Sequence, residues 1–324
     1  MQNGWGEGEP VLSPDGSMVA INGYGQQGFF VEIYDVKNES KLCEFKKMGK
    51  AQAGVLVKAI NFSDDGTKLL LTIWEYEAYV VNPHTGKIIQ TFSNVYSPRL
   101  LADGSAIVTN DSLFYNLFMY SVATGKKTKE FWSKNYAPGN GALVGTRGSD
   151  QLVLTIKLYP ENTLQILHWD IATNSKISDI TIPGATFYYY ENSWFSQDFS
   201  IIALASDDPL QKNTLNFYNT MTGEKLNAAP IAYMYDGVLD RGPGVANDFT
   251  YTLQSNSIVG QLYPAPQTHA ILDGKLQKIL PVPLESAEFD RFIYSSNNQY
   301  IAAIYAWPNQ NSVRIWKLNN ILSQ

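Results

Sequence analysis

Cysteine and histidine are scarce in this chain, which argues against several kinds of site. The 324 residues include one cysteine, Cys43, and three histidines, His84, His168 and His269. A single cysteine cannot form a disulfide within the chain, and none of these residues has the short spacing of zinc ligands. A Gly-x-Ser-x-Gly turn and a glycine-rich phosphate loop are also lacking. We therefore expect no metal, no cofactor and no enzymatic machinery of these kinds.

Basic residues are fewer than acidic ones, and long apolar runs are missing. The chain has 24 Lys and Arg against 30 Asp and Glu, a net charge of −6 and a pI near 5.2. This balance disfavours nucleic acid and anionic membranes as partners. No apolar run approaches the roughly 20 residues of a membrane helix, and Met1–Gly6 lacks the regions of a signal peptide. The single cysteine favours the cytoplasm; secretion after removal of a signal peptide is the alternative.

Aromatic residues, by contrast, are abundant. They make up 13% of the chain, with 20 Tyr and 7 Trp, and hydrophobic residues make up 44%. Aromatic side chains pack well on the pleated surface of a sheet, and no segment shows convincing helical periodicity. We therefore predict an all-β fold.

A tight turn followed by an apolar run recurs along the chain. Ser13–Gly16 precedes Met18–Ile21, and Ser63–Gly66 precedes Leu69–Thr72. Further copies of the turn, some weaker, are Ala102–Gly104, Gly148–Asp150, Ser196–Asp198, Asn247–Asp248 and Ser296–Asn298. Because Asp-Gly readily adopts the positive φ angles of a two-residue hairpin turn, each copy predicts a β-hairpin.

A second recurring feature is an alternating apolar strand that ends in a polar turn. Its copies are Val31–Val36, Ala78–Pro83, Leu117–Val122, Ile166–Ile171, Leu215–Thr220, His269–Gly274 and Val313–Leu318. They recur at intervals of 39 to 53 residues with a mean of 47, so seven units account for the chain. Repeats of about 40–50 residues with four short strands are typical of propeller blades. A β-sandwich would not keep one period throughout, and β-helix rungs are shorter.

The periodicity predicts a single domain over 1–324, a seven-bladed β-propeller of four-stranded antiparallel blades. The approximate blades are 9–48, 49–94, 95–136, 137–184, 185–231, 232–284 and 285–324. The last unit shows only three strands. Either Asn320–Gln324 completes this blade, or the chain belongs to a larger multidomain protein or complex.

The turn Ser13–Gly16 and the strand ends Tyr34–Val36 and Trp169–Ile171, with Thr-Gly-Lys after two of the strands, resemble WD-repeat and YVTN-type propellers. The resemblance covers essentially the whole chain and implies the propeller fold. The Gly-His pair of a typical WD repeat is absent from all seven units, and Trp-Asp occurs once. The Asp/His/Ser/Trp hydrogen-bond network of that family is therefore not expected. Propellers host many activities, so the resemblance implies no particular function.

Aromatic residues recur in the loops between the second and third strands and in the links between units. In a propeller these segments emerge on one face, and aromatic and arginine side chains are enriched at interface hot spots. Four of the five arginines lie close to first strands: Arg99, Arg147, Arg241 and Arg291. We assign to this binding face Tyr24, Trp74, Tyr76, Tyr115, Tyr136, Tyr159, Tyr188, Tyr189, Tyr190, Asp240, Arg241, Tyr263 and Trp307. The alternative is that some rings, such as Trp74, Tyr159 and Trp307, cap the blade core.

This pattern favours a non-enzymatic scaffold that binds a protein or peptide through the aromatic face. Rings around a central channel would equally suit a carbohydrate or small ligand, which is the first alternative. The second is a propeller lactonase or hydrolase with a divalent metal on the central axis. Its carboxylates would come from Glu75, Asp207, Asp208 and Asp240.

Overall fold

The regular structure of the chain is β-strand throughout the part that can be described. The computed structural model describes residues 10–25, 28–46, 57–73, 76–110, 116–131, 141–158, 163–182, 193–195, 199–205, 214–230, 251–254, 269–273, 278–282, 291–294, 300–307 and 310–317. Within these ranges there are 26 strands. The predicted all-β fold is confirmed. Over the same ranges, no helix has the length and apolarity needed to cross a bilayer.

The strands form sheets in which spatial order follows chain order. The first sheet contains β1 (Val11–Leu12), β2 (Met18–Gly25), β3 (Gly28–Asp35) and β4 (Ser40–Lys46). The second contains β5 (Val57–Phe62), β6 (Leu69–Ile73), β7 (Glu77–Val81) and β8 (Ile88–Ser93). The third contains β9 (Tyr96–Leu100), β10 (Ala106–Asn110), β11 (Leu117–Ser121) and β12 (Lys127–Phe131). Every strand pair in these three sheets is antiparallel, as predicted.

Later sheets follow the same order. The fourth contains β13 (Gly141–Arg147), β14 (Gln151–Leu158), β15 (Thr163–Asp170) and β16 (Ser175–Ile182). The fifth contains β17 (Ser193–Phe195), β18 (Ile201–Ala205), β19 (Thr214–Asn219) and β20 (Lys225–Pro230). In the described residues two further sheets have three strands each: β21 (Tyr251–Gln254), β22 (His269–Asp273) and β23 (Lys278–Val282), then β24 (Arg291–Tyr294), β25 (Tyr300–Trp307) and β26 (Gln310–Lys317).

The chain divides into two compact units. The first comprises Met1–Leu154, Asp170–Ser175 and Ala306–Ser312, and the second comprises Thr155–Trp169, Lys176–Tyr305 and Val313–Gln324. The predicted blade boundaries and the single domain over 1–324 stay predictions.

In the first unit, the second sheet is buried on both of its faces. Leu69 and Leu71 of β6 pack into a core shared with the first sheet, together with residues such as Ile33. Leu70, between them, packs into a separate core shared with the third sheet, together with residues such as Ile107. Because successive side chains of a strand point to opposite faces, β6 contributes to both cores and all five of its residues are buried.

Side-chain amides of one sheet bind the backbone of the first strand of the next sheet. The amide oxygen of Asn22 accepts a hydrogen bond from the Ala59 backbone N–H at 2.8 Å, which connects the first sheet to β5. Asn61 donates to the Leu100 carbonyl at 2.9 Å and accepts from the Leu100 N–H at 3.1 Å, which connects β5 to β9. Each amide thus satisfies backbone groups that strand pairing leaves open at the inner edge of the next sheet.

The outermost strands contact the next sheet in a repeated way. The Cys43 thiol of β4 donates to the Pro83 carbonyl at 3.1 Å, in the turn after β7. Lys129 of β12 donates to the Ala172 carbonyl at 3.0 Å, in the turn after β15. Successive sheets in the first unit are therefore connected at their outer as well as their inner strands.

The second unit contains a contact of the same kind. The Ser178 hydroxyl of β16 donates to the sulfur of Met221 at 3.5 Å, in the turn after β19. The fifth sheet has its own buried residues, among them Ile202 of β18 and Phe217 of β19, whose side chains are fully buried.

The turns that open the repeats are held by serine and aspartate side chains. Asp15 Oδ1 accepts hydrogen bonds from the Ser13 hydroxyl at 2.7 Å, from the Ser17 N–H at 3.0 Å and from the Ser17 hydroxyl at 2.8 Å. The Ser13 hydroxyl oxygen in turn accepts from the Met18 N–H at 2.9 Å. The second copy repeats these bonds around Asp65. The recurrent Ser-x-Asp-Gly sequence therefore builds one hydrogen-bonded turn.

The expected length of these turns is wrong. The Ser13 N–H donates to the Met18 carbonyl at 2.9 Å, so four residues, 14–17, form the loop instead of two. Gly16 takes a positive φ of 69°, whereas Asp15 is not among the described residues with positive φ. The Asp15 carboxylate accepts three bonds from its neighbours, and these bonds stabilise the wider loop over a two-residue turn.

We expect the turn around Asp65 to be sensitive to acid. Hydrogen bonds from the Ser63 hydroxyl and then from Thr67 lower the pKa of Asp65 to about 2. Because the unfolded carboxyl titrates near 3.9, the stability that the folded carboxylate adds is present above about pH 4 and is lost as the pH falls towards 2. Asp65→Asn should cost about 1 kcal/mol at neutral pH, after allowance for solvent screening at this exposed turn. Urea denaturation at several pH values measures this difference, which should shrink on acidification.

The neighbouring residue provides a control of opposite sign. Burial, and then the charges of Asp65 and Asp103, raise the pKa of Asp64. A raised folded pKa adds stability only below the unfolded pKa, and this contribution is lost as the pH rises through the folded pKa. Asp64→Asn should therefore increase the free energy of unfolding at neutral pH. Equal destabilisation by both substitutions would contradict this assignment.

Candidate functional site

The structure describes three of the residues assigned to the binding face from sequence. Tyr76 is described with its side chain, while Tyr24 and Trp307 are placed in strands β2 and β25. The other members lie outside the described residues: Trp74, Tyr115, Tyr136, Tyr159, Tyr188, Tyr189, Tyr190, Asp240, Arg241 and Tyr263. Their assignment to a common face stays a prediction.

The expected loop positions of Tyr24 and Trp307 are wrong, because both residues belong to strands. Tyr24 pairs with Phe29 across the first hairpin, and β25 ends at Trp307. Gly23, the residue before Tyr24, also lies in β2, opposite Phe30. A Cβ at Gly23 would lie 2.3 Å from Cζ of Phe30, so this glycine leaves room for the ring within a regular strand.

Tyr76 lies between β6 and β7, as expected, and its side chain is exposed. The exposed fraction is 49%, the highest among the large hydrophobic side chains of the described residues. Its ring contacts the ring of Tyr96, the first residue of β9, with centroids 5.3 Å apart and planes at 84°. This edge-to-face arrangement is favourable by about 1 kcal/mol. One side of the Tyr76 ring is therefore held by the protein while much of the ring faces solvent.

The backbone beneath this pair is fixed by hydrogen bonds. The Val95 N–H donates to the Tyr76 carbonyl at 3.3 Å, which ties the connection between the second and third sheets to the loop that carries Tyr76. The Thr109 hydroxyl accepts from the Tyr96 N–H at 2.7 Å and donates to the Tyr96 carbonyl at 2.8 Å. A single buried side chain thus satisfies both backbone groups of Tyr96.

Strand β9 contains a β-bulge immediately after Tyr96. Tyr96 pairs with Asn110 and Arg99 pairs with Val108, so residues 97 and 98 oppose the single residue Thr109. Ser97 has a positive φ of 46°, an unusual conformation for a residue other than glycine. The Thr109 hydroxyl replaces the strand hydrogen bonds that the bulge interrupts, and the bulge brings Tyr96 and Arg99 to one face of the sheet.

Arg99 lies at the end of this bulge with few partners. Its side chain is half-buried, and Nη1 donates to the Pro98 carbonyl at 3.0 Å. Burial lowers the pKa of the guanidinium. The sequence drew attention to Tyr96 as an aromatic link and to Arg99 near a first strand. Thr109 was missed because a threonine at the end of an apolar strand carries no signal of a bulge on the neighbouring strand.

The other exposed apolar side chains of the described residues lie elsewhere. Ile88 and Ile89 are on β8, Ile177 is on β16 and Leu226 is on β20. All of these strands are outermost in their sheets. Tyr76 is therefore distinguished by its position beside a first strand and by its aromatic support.

The described residues contain few side chains that would support the enzymatic alternatives. Among them, no three His, Cys, Asp or Glu side chains form a group that would hold a metal ion. The carboxylates considered for an axial metal, Glu75, Asp207, Asp208 and Asp240, lie outside the described ranges. Burial raises the pKa of the Cys43 thiol, which keeps it protonated and poorly nucleophilic at neutral pH.

Comparison with known proteins supports the fold alone. No protein-family model matches the chain, and no curated protein matches it. Its structure is similar to that of Kuenenia stuttgartiensis hydrazine synthase, with 14% identity over 94% of this chain and 94% of that chain and a TM-score of 0.63. The similarity fits a β-propeller class. Because 1491 solved chains match the structure, the architecture itself selects no activity.

We expect Thr109→Val to destabilise the protein through the loss of the Tyr96 hydrogen bonds. Valine keeps the shape of threonine but leaves the partly buried N–H and carbonyl of Tyr96 without this partner, which should cost about 2 kcal/mol. Chemical denaturation measures the loss. The matched control is Thr91→Val on the exposed surface of β8, for which a change within about 0.5 kcal/mol is expected. Equal effects of the two substitutions would show that the Thr109 hydroxyl does not support Tyr96.

Proposed function

We propose that the chain is a seven-bladed, WD-repeat-like β-propeller that acts as a non-enzymatic scaffold and binds a protein or peptide through its aromatic face. The architectural part is supported by the seven sheets of the described residues and by their strand order. It is further supported by the packing of the first three sheets in chain order, each against the next. The mean spacing of 47 residues between units agrees with one blade for each sheet.

The observation that carries the binding proposal is the exposed Tyr76 ring, which makes an edge-to-face contact with Tyr96. A side chain that is already ordered loses little conformational entropy when a partner binds. Tyrosine adds a wide contact area and a polar hydroxyl, and for this reason it is enriched among interface hot spots. The contacts with Tyr96 and the Val95 hydrogen bond supply the order.

The position of Tyr76 supports a partner on this side of the sheets. The exposed isoleucines and leucine lie on the outermost strands of their sheets, whereas Tyr76 and Tyr96 lie where two sheets are linked. The sequence predicts further aromatic residues in equivalent loops, so a partner would contact several rings at once. A carbohydrate is the alternative ligand, since an exposed tyrosine ring also stacks on sugars.

A peptide selection with a single-site control tests the proposal. A displayed peptide library is selected against the immobilised protein, and the affinity of an isolated peptide is measured by calorimetry. Tyr76→Ala should weaken binding by about 1–2 kcal/mol, roughly tenfold, with little change in Tm. The matched control, Ile88→Ala, removes a side chain of similar exposure, 45%, from an outermost strand and should leave the affinity unchanged.

Three results would contradict the proposal. One is equal loss of affinity in both variants, and another is unfolding of Tyr76→Ala, which would make the ring part of the core. The third is Tyr76-dependent binding on a glycan array without peptide binding, which would favour the carbohydrate alternative. A thermal shift with calcium, reversed by EDTA, would favour a metal-dependent enzyme, because a ligand that binds only the native state raises its Tm.

A further inference from the structure

Arg99 has an almost unused set of hydrogen-bond donors. A guanidinium carries five N–H donors in a planar fork, and in the described residues Arg99 uses them for one bond, to the Pro98 carbonyl at 3.0 Å. The ion pairs of the described residues are all formed by lysines: Lys41, Lys46, Lys127 and Lys176. These lysines are exposed, whereas the more buried arginine has no carboxylate beside it in this part of the chain.

The environment makes this unpaired charge costly. Burial lowers the pKa of the guanidinium, which reflects loss of hydration without a compensating negative charge. Val108, the residue opposite Arg99 on β10, is completely buried. A charge removed from water beside apolar groups is unfavourable until an opposite charge pairs with it, and such a pair is stronger there than in water.

The free part of the fork remains reachable. Arg99 is half-buried, so part of its side chain contacts solvent. The bond from Nη1 to the Pro98 carbonyl fixes one side of the group, and the bulge that contains Pro98 is held in turn by Thr109. The guanidinium is therefore pre-oriented, which lowers the entropic cost of binding.

From this geometry we propose that Arg99 binds an oxyanion, a carboxylate or a phosphate group, through the unpaired nitrogens of its guanidinium. Two parallel N–H···O bonds match the spacing of the oxygens in either group, and this planar match is specific to arginine. The proposal concerns the Arg99 side chain and does not depend on a protein partner for the Tyr76 ring. A bound carboxylate or phosphate would supply the negative charge that the Arg99 guanidinium lacks beside it in the described residues.

Titration of the whole chain with small anions tests the site. The protein is dialysed into Tris-chloride, and Tm is followed against inorganic phosphate or acetate at constant pH and ionic strength. A saturable rise in Tm is expected with at least one anion, because it binds the native state. Comparison of the phosphate titration with the acetate titration shows whether the site prefers a phosphate or a carboxylate group. Arg99→Met should abolish the response without lowering Tm in the buffer that contains neither phosphate nor acetate, since it removes an unpaired charge.

Two further variants serve as controls for the role of the Arg99 guanidinium. Arg99→Lys keeps the charge but loses the fork and should bind the anion roughly tenfold more weakly. Lys126→Met removes an exposed cation of the third sheet and should leave the response unchanged. The proposal is overturned if the wild type shows no saturable response to either anion. It is also overturned if Arg99→Met keeps the response, which would place the anion elsewhere.

Discussion

Burial of one sheet between its two neighbours is the constraint on which the described structure depends. Leu69 and Leu71 of β6 face the core shared with the first sheet, and Leu70 faces the core shared with the third. A sheet of this kind removes its apolar side chains from water only when a neighbour packs on each face. The stability of each sheet therefore depends on the neighbouring sheets that pack against it, as in other repeat proteins.

Hydrophobic packing alone would let neighbouring sheets slide, and polar contacts fix their alignment. Asn61 exchanges two hydrogen bonds with the backbone of Leu100 at the inner strands. At the outer strands, the side chains of Cys43 and Lys129 reach carbonyls in the following sheet. Buried polar groups must be paired, so a shifted alignment would leave these groups unsatisfied. The same type of residue is not needed at each position, because any donor of suitable length reaches the carbonyl.

The sequence predicted the features that follow from local residue patterns and missed those that depend on particular side-chain contacts. The period, the hairpins and the antiparallel strands follow from local patterns that are repeated in unit after unit. The length of the Ser13–Gly16 turn did not follow, because it depends on hydrogen bonds to the Asp15 carboxylate. The strand position of Tyr24 depends on the packing of Phe30 over Gly23, two residues that pair across a hairpin. Neither contact leaves a signal in local composition.

The bulge in β9 connects the fold to both proposed sites. A regular first strand would bury its side chains between neighbouring sheets and leave none free for a ligand. The extra residue in β9 instead brings Tyr96 to the position where it supports Tyr76, and leaves Arg99 partly accessible beside Val108. Unusual backbone geometry and an unpaired charge reduce stability, and the buried Thr109 hydroxyl offsets part of that loss. Local departures from the rules that govern the rest of a fold are typical of functional sites, and β9 combines a bulge, a positive φ at Ser97 and an arginine without a carboxylate partner in the described residues.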